Sequence, residues 1–331
     1  VAINGFGRIG RLAFRTLSKR HPQIEIVAVN DLTDAATNAH LLKYDSNYGI
    51  FDGDINVVRD AIQVNGKDVQ VLSQREWTEL PWDDLGIDVA LECTGIGTSR
   101  AMASKHIEAG AKKVLISAPS SDADAMTVLG VNEDIYNPSQ HSVISNASCT
   151  TNGLAPPVSV VHAEFGIIKG QMTTVHSYTS TQAILDTQKR DLRDARAGAL
   201  NTVPAATGAA RAIGKVIPDL NGKLDGMAYR VPTPTVSIVE FVVLLATSTT
   251  ADAVNTILRE AAEGRLKGIM DYSEEPLVSS DLKGNEHSSI VDAGSTMVVA
   301  ETLLKVAAWY DNEWGYASRL ADMTAYLGER L

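Results

Sequence analysis

The sequence predicts an α/β chain of two domains. A doubly wound parallel-sheet domain spans residues 1–148 and is completed by a helix at 315–331; an α+β domain with a mixed or antiparallel sheet spans 149–314. Three observations carry that expectation. Short apolar runs alternate with helical patterns through the first half, as in a parallel sheet covered by helices on both faces. A Gly5-x-Gly7-x-x-Gly10 turn joins the first run to the first helix. After Cys149 the pattern changes to long β-branched runs with few crossover helices, which suits mixed or antiparallel pairing.

Val1 to Asn4 reads as a short strand and Arg8 to Lys19 as the helix after the turn. The glycines permit a tight turn and a close approach of backbone to a pyrophosphate seated on the helix N-terminus. Ile24 to Asn30 is a second strand, closed by Asp31 roughly 20 residues after Gly10, where a carboxylate meets the hydroxyls of an adenosine ribose. Together they describe a dinucleotide-binding (Rossmann) unit; a glycine turn and a surface Asp with no ligand are the plainer alternative. Val69–Leu72, Val89–Glu92 and Lys113–Ser117 are further strands, with a helix over Ser99–Gly110, and Val143-Ile144 closes the series. Ligands bind at the carboxyl ends of such strands, so the loops at Thr94-Gly95 and at Ser117-Ala118-Pro119 are expected to border the cofactor, though each reads equally well as a simple loop.

In the second half, a helix is expected from Thr150 to about Phe165, bent at Pro156-Pro157, where two N–H donors are missing. A strand from Gly170 to Val175 delivers His176. Ser177 to Thr207, rich in Thr, Arg and Asp and without apolar period, reads as an extended functional loop. Val236–Ala246 and Met297–Trp309 read as strands and Ala251–Glu263 as a helix. The last stretch, Gly315 to Leu331, reads as an amphipathic helix. The aromatic segment Trp309 to Tyr316 before it is expected to return to the first domain and wall the cofactor site, or to serve ordinary interdomain packing.

The octapeptide Ser145-Asn146-Ala147-Ser148-Cys149-Thr150-Thr151-Asn152 puts one cysteine where a helix begins. Ser148 is a good N-cap, and the free N–H groups of the first turn would surround the sulfur. Such a site favours thiolate over thiol, so Cys149 is expected to be nucleophilic near neutral pH. A buried structural cysteine is the commoner fate of a lone Cys, but polar neighbours on both sides argue against it. His176, in a polar run, is the candidate base; a satisfied core histidine is the alternative.

Composition bounds the partners. The 331 residues are 44% hydrophobic and 21% charged, ordinary for a globular protein, and the formal charge of −11 weighs against nucleic acid or an anionic membrane as main partner. No run approaches the roughly 18 apolar residues of a membrane span. The chain opens in Val1-Ala2-Ile3 without a basic leader, so the cytoplasm is the expected compartment, and a first strand this short without Met suggests that a few residues precede it. The two cysteines, Cys93 and Cys149, form no C-x-x-C and suit a reducing compartment; the seven histidines are scattered, so no metal site is expected.

Asn4 to Gly10, Ser145 to Asn152, Thr173 to Thr179, Thr207-Gly208-Ala209-Ala210, Arg230-Val231-Pro232-Thr233-Pro234 and Trp309 to Tyr316 stand in order over essentially the whole chain. In these segments the sequence resembles the phosphorylating glyceraldehyde-3-phosphate dehydrogenases. The resemblance implies oxidation of D-glyceraldehyde 3-phosphate with NAD and inorganic phosphate, in a homotetramer. It implies Cys149 as nucleophile and His176 as base. Gly7, Arg8, Ile9, Asp31 and Asn312 would bind the dinucleotide, with Arg75, Thr94 and Ser117 as weaker candidates. Thr179, Arg193 and Arg230 would hold the substrate phosphate, and Ser148, Thr150, Thr207 and Gly208, sharing Arg230, the attacking phosphate. Asp31 favours NAD over a 2′-phosphate.

Three departures stand out. Many NAD-specific members carry Leu-Pro where this chain has Thr187-Gln188, which opens partial use of NADP. Thr181 stands where an acidic or amide residue is common. Gly153 replaces a frequent second cysteine, so no intrahelical disulfide forms with Cys149.

Overall fold

A three-residue strand, β1 (Ala2–Asn4), and the helix α1 (Arg8–Arg20) meet at the glycine turn. The computed structural model describes residues Val1–Leu331, which divide into two compact units. The first comprises Val1–Thr127, Glu133–Ala147 and Ala317–Leu331; the second comprises Val128–Asn132 and Ser148–Tyr316. The strip Val128–Asn132 joins the second unit because the Arg265 guanidinium donates to the Gly130 carbonyl and the same glycine lies against Leu266 and Ile269.

Within the first unit, β2 (Ala28–Asn30) is followed by α2 (Ala35–Lys43), capped by the Asp34 carboxylate, and a small hairpin of β3 (Tyr44–Asp45) and β4 (Gly49–Ile50). The strands β5 (Ile55–Val58), β6 (Ala61–Val64) and β7 (Lys67–Leu72) form a meander. Then come β8 (Val89–Glu92), two short helices α3 (Arg100–Ala103) and α4 (Lys105–Glu108), and the strands β9 (Lys113–Ile116), β10 (Ala125–Met126) and β11 (Val143–Ser145). The strands align in the order β10-β11-β9-β8-β1-β2-β7-β6-β5. All pairs from β10 to β7 are parallel, and only the β5-β6-β7 meander is antiparallel. Strand order reverses about β1, whose carboxyl end is therefore the switch point at which such sheets bind ligands.

Glycine is required at two positions there. Gly5 adopts φ +87°, and a Cβ at Gly10 would lie 2.1 Å from the Gly5 carbonyl oxygen. The helix can abut the strand end only where that side chain is missing.

The second unit opens with α5 (Cys149–Phe165), continuous through Pro156 and Pro157, where a bend was expected. It continues with β12 (Ile167–Ser177), β13 (Val203–Ala206), α6 (Ala209–Val216), β14 (Leu224–Val231), β15 (Ser237–Leu245), α7 (Ala251–Glu263), β16 (Met270–Ser273), β17 (Ser289–Asp292), β18 (Met297–Val299) and β19 (Leu303–Tyr310). The sheet order is β13-β14-β12-β15-β19-β17-β16, with β18 on β19. Its β12/β14 and β16/β17 pairs are parallel and the rest antiparallel, so the sheet is mixed. Alternating burial along β15 matches a sheet with one face against the core.

Two expectations are corrected. The single strand over Met297–Trp309 is a hairpin, turned at Ala300 and Glu301, both at positive φ. The terminal helix α8 (Trp314–Gly328) is not amphipathic: Ser318, Arg319 and Thr324 are buried along with Leu320, Ala321 and Met323. Arg319 pairs with Asp322 at 2.6 Å, and the Thr324 hydroxyl donates to the Leu320 carbonyl at 2.7 Å.

Gly10→Ala drives a methyl into the Gly5 carbonyl and lowers the melting temperature of the cofactor-free protein by about 3–10 °C. Gly7→Ala, where a Cβ meets nothing within 4 Å, leaves it within about 2 °C. Calorimetry on the two variants measures the difference, and equal melting temperatures contradict the close-approach argument.

Candidate functional site

In the second unit, the chain enters α5 through Ala147, held at φ +54°, and Ser148, whose hydroxyl accepts the Thr151 N–H at 3.0 Å as N-cap. Cys149 is the first helical residue. Its Sγ lies 3.5 Å from Nε2 of His176, which the penultimate position of β12 presents to it. The sheet register then brings a cation: His176 pairs with Arg230 across β12/β14, and Arg230 with Val203 across β13/β14. Arg230 Nη1 stands 2.5 Å from His176 Nδ1 and donates to the Ser177 carbonyl at 3.3 Å.

His176 Nδ1 is also 2.7 Å from that carbonyl. One ring nitrogen cannot donate to the carbonyl and accept from the guanidinium at once. The carbonyl can only accept, so Nδ1 carries the proton toward it and Nε2 keeps its lone pair toward the sulfur. Burial, and after it the Arg230 charge, lowers the His176 pKa to about 3. Burial raises the Cys149 thiol, opposed by the Arg230 charge and by the N–H groups of the first turn. Both shifts favour the thiol and the neutral imidazole. The helix N-terminus alone does not produce the thiolate expected from sequence, because desolvation outweighs it.

Asn312 belongs to the same unit. Its Oδ1 accepts from Ser237 Oγ at 2.9 Å, and Ser237 Oγ accepts the Ser177 N–H at 3.0 Å, which leaves the Asn312 amide nitrogen as the outward donor. Val236, just before Ser237, is forced to φ +68° while 3% exposed, an outlier for a β-branched residue. Nothing in the sequence signals this strained valine or the linking serine.

The remaining candidates for anion binding have mixed fates. Thr207 Oγ1 accepts the Ala209 N–H at 3.2 Å, and Gly208 caps α6 without a side-chain bond, so the first turn of that helix keeps open donors. Thr179 and Thr181 share a hydroxyl contact of 2.9 Å. Arg193, exposed in the segment 178–202, reaches the Pro204 carbonyl of β13 at 3.4 Å. That segment contains no helix and only an isolated bridge between Ala183 and Ala197. The aromatic segment is engaged inside the second unit: Trp309 packs beside Val236, Leu282 and Ile290 and donates to Asp292 at 3.0 Å.

The first unit carries a cavity of about 440 Å³ at the carboxyl end of β1, lined by Gly5, Gly7, Asp31, Arg75, Thr94 and Cys93 among others. Asp31 Oδ2 accepts the Phe6 N–H at 2.8 Å and so fastens the glycine loop, while Thr33 donates to Oδ1. Gly7 caps α1 with no side-chain bond, and Ile9 lies in that first turn, leaving N–H donors for an anion. The glycine cradle, the open helix N-terminus and the single carboxylate at a strand end fit a dinucleotide. Arg8 is held by Asp45 at 2.5 Å. The Ser117 N–H donates to the Glu92 carbonyl at 2.9 Å, and its hydroxyl bonds the half-buried Cys93, whose thiol desolvation pushes up to about 12.

Sequence reasoning missed the support under this cavity. Glu92, 1% exposed, accepts from Asn4 Nδ2 at 2.6 Å, His106 Nε2 at 3.1 Å and the Thr94 N–H at 2.9 Å, and from the Thr94 hydroxyl. The Trp82 indole donates to His106 Nδ1 at 3.0 Å, which fixes the tautomer that donates to Glu92. A buried carboxylate is tolerated because its lone pairs are filled. Thr94 is thus a positioned floor residue whose own hydroxyl is spent on Glu92.

Two family models match the chain: "Glyceraldehyde 3-phosphate dehydrogenase, NAD binding domain" over residues 1–100 and "Glyceraldehyde 3-phosphate dehydrogenase, C-terminal domain" over residues 148–312. A glyceraldehyde-3-phosphate dehydrogenase of Geobacillus stearothermophilus is 55% identical over 330 residues, covering 100% of this chain and 98% of that protein. Glyceraldehyde-3-phosphate dehydrogenase 1 of Bacillus subtilis is 54% identical with the same coverage, and glyceraldehyde-3-phosphate dehydrogenase 2 of Streptomyces avermitilis 53% identical over 331 residues, covering 100% of this chain and 99% of that protein. The chain belongs to the glyceraldehyde-3-phosphate dehydrogenase family.

Proposed function

We propose that the chain catalyses the reversible phosphorylating oxidation of D-glyceraldehyde 3-phosphate to 1,3-bisphosphoglycerate with NAD, a step of glycolysis and gluconeogenesis. One observation carries the reading: a thiol at a helix N-terminus 3.5 Å from the unprotonated nitrogen of a buried histidine. Its first unit serves as the dinucleotide-binding domain and its second as the catalytic domain.

The Cys149 sulfur adds to the aldehyde carbon and its proton passes to His176 Nε2. The Cys149 N–H and the resulting imidazolium hold the oxyanion of the thiohemiacetal. The imidazolium gives its proton to that oxygen, and the neutral His176 ring takes it back as hydride leaves the same carbon. NAD, when bound, supplies the hydride acceptor; Gly7, Arg8, Ile9 and Asp31 would hold its adenosine diphosphate part, Arg75, Thr94 and Ser117 would border it, and Asn312 would fix its carboxamide through the nitrogen left free by Ser237. A phosphate oxygen attacks the thioester carbon, the C–S bond breaks, and sulfur leaves as thiolate to regain its proton.

Thr179, Arg193 and Arg230 would bind the substrate phosphate, and Ser148, Thr150, Thr207 and Gly208 the attacking one. The reading is supported by the charge logic at Arg230. Its cation is the second cause of the depressed His176 pKa, so an anion bound there offsets the charge and restores basicity when substrate is present. Assembly as a tetramer is supported by Ile184, Leu185, Leu192 and Leu200, large apolar side chains left exposed in one segment. A cytoplasmic location is supported by two unpaired cysteines.

Phosphate-dependent NADH formation from the aldehyde follows. Cys149→Ser lowers it at least about a thousandfold, and turnover persisting in that variant sinks the nucleophile assignment. His176→Asn lowers kcat by about 10²–10⁴-fold while leaving NAD binding, followed by fluorescence quenching, unchanged. A sibling dehydrogenase acting on a longer aldose phosphate would share the Cys149–His176 pair, and turnover of erythrose 4-phosphate above that of glyceraldehyde 3-phosphate at low concentration would favour that reading instead. For the Thr187-Gln188 departure, steady-state kinetics with both cofactors are expected to show measurable NADP turnover below that with NAD, and none detectable dismisses the idea.

A further inference from the structure

We propose that Tyr310 is a positioning residue of the nucleophile, holding the Thr150 hydroxyl away from the Cys149 sulfur through a one-way hydrogen-bond chain. The proposal rests on the reading of Cys149 as nucleophile. Tyr310, at the end of β19 and 1% exposed, bonds Thr150 Oγ1 at 2.9 Å and Thr174 Oγ1 at 2.8 Å, and its ring stands edge-on to His176 with centroids 5.9 Å apart. The residues it joins flank the reacting pair: Thr150 follows Cys149 on α5, and Thr174 precedes His176 by two positions on β12, on the same face.

Proton direction along the chain is fixed at its far end. Thr174 Oγ1 lies 3.0 Å from the Ile238 carbonyl, which can only accept. Thr174 therefore donates there and accepts from Tyr310. Tyr310, with one proton, gives it to Thr174 and accepts from Thr150. Thr150 has then spent its proton, although its hydroxyl is close enough to the sulfur to stabilise a thiolate. A thiolate bonded to a hydroxyl is a weaker nucleophile and a stickier partner for its proton donor. With Thr150 turned away, His176 is left as the partner that exchanges a proton with the sulfur. For the attacking phosphate, Thr150 offers its backbone N–H and lone pairs but no hydroxyl proton.

The groups facing Cys149 are His176 from β12, Arg230 from β14 and Tyr310 from β19, besides Thr150 on its own helix. Arg230 and His176 are unchanged in the test, so a shift reports the hydroxyl.

The full-length protein and three variants are alkylated with iodoacetamide from pH 5 to 10, and the rate at Cys149 is followed by peptide mass spectrometry. Tyr310→Phe removes the acceptor for Thr150. Thr174→Val removes the acceptor for Tyr310, which then turns its proton to Thr150 and releases the threonine proton toward sulfur. In both, the inflection of rate against pH falls by about one unit. Thr174→Ser keeps the chain and keeps the profile of the unaltered protein. A packing role predicts the opposite order, since Val fills the threonine volume and Ser does not. Coincident profiles for all four proteins, or a Ser variant that shifts with Val, overturn the proposal. Should Tyr310→Phe not fold, the Thr174 pair decides alone. Alkylated protein that retains turnover would instead refute the nucleophile reading, whatever the profiles.

Discussion

The approach of one sulfur to one ring nitrogen constrains most of the second unit. Cys149 and His176 come from a helix start and a strand end, and 3.5 Å between them leaves room for a proton transfer and little error. The helix start is fixed by Ser148, spent as N-cap, and the strand end by the sheet on both sides of β12. Gly153 belongs to the same constraint: a Cβ there would stand 3.1 Å from the Tyr310 ring. The glycine that removes a second cysteine from the helix thus lets Tyr310 pack against α5.

Electrostatics follow from register. A parallel pairing of β12 with β14 puts Arg230 beside His176, so the cation that suits a phosphate is also the cation that depresses the imidazole. The two effects cannot be separated by moving one side chain, because both come from the same rung of the sheet. A buried imidazole beside a fixed cation is a weak base, and an anion that offset the cation would restore its basicity.

Much of this was legible in the sequence, for reasons that differ by residue. The glycine turn, Asp31 and the alternation of strands with helices carry local signals, and α1 and α7 fall where the periodicity puts them. No clear period marks residues 32–68, although Asn65-Gly66, with both residues at positive φ between paired Val64 and Lys67, is a strong hairpin signal. The helix Ala35–Lys43 carries almost no amphipathic period, and the strand Leu224–Val231 is interrupted by Gly226, which sits where a Cβ would meet the Met172 carbonyl. At the site, Cys149 and His176 stood out by type and context. Glu92, Ser237 and Tyr310 did not, because their importance lies in which hydrogen bonds close around them, and pairings between residues far apart in sequence have no local signature. The protonation of Cys149 is harder to read for a related reason: a helix N-terminus is visible in the sequence, whereas the desolvation that opposes it depends on everything packed around the sulfur.

Two strained residues show how the chain holds these closures. Ala147 at φ +54° precedes Ser148, and Val236 at φ +68° precedes Ser237; such positions cost about 1–3 kcal/mol each. Each stands one residue before a serine that orients a functional group: Ser148 starts the helix of Cys149, and Ser237 turns the amide of Asn312. Each is also tied by a neighbouring serine. Ser145 Oγ accepts the Ala147 N–H at 3.2 Å, and Ser177 Oγ donates to the Val236 carbonyl at 2.9 Å. Both strained residues are buried, so the hydrogen bonds and lost apolar surface offset the cost. A relaxed backbone at either point would turn the following serine elsewhere, and the strain is therefore the consequence of placing a helix cap at Ser148 and the hydrogen bond to Asn312 at Ser237.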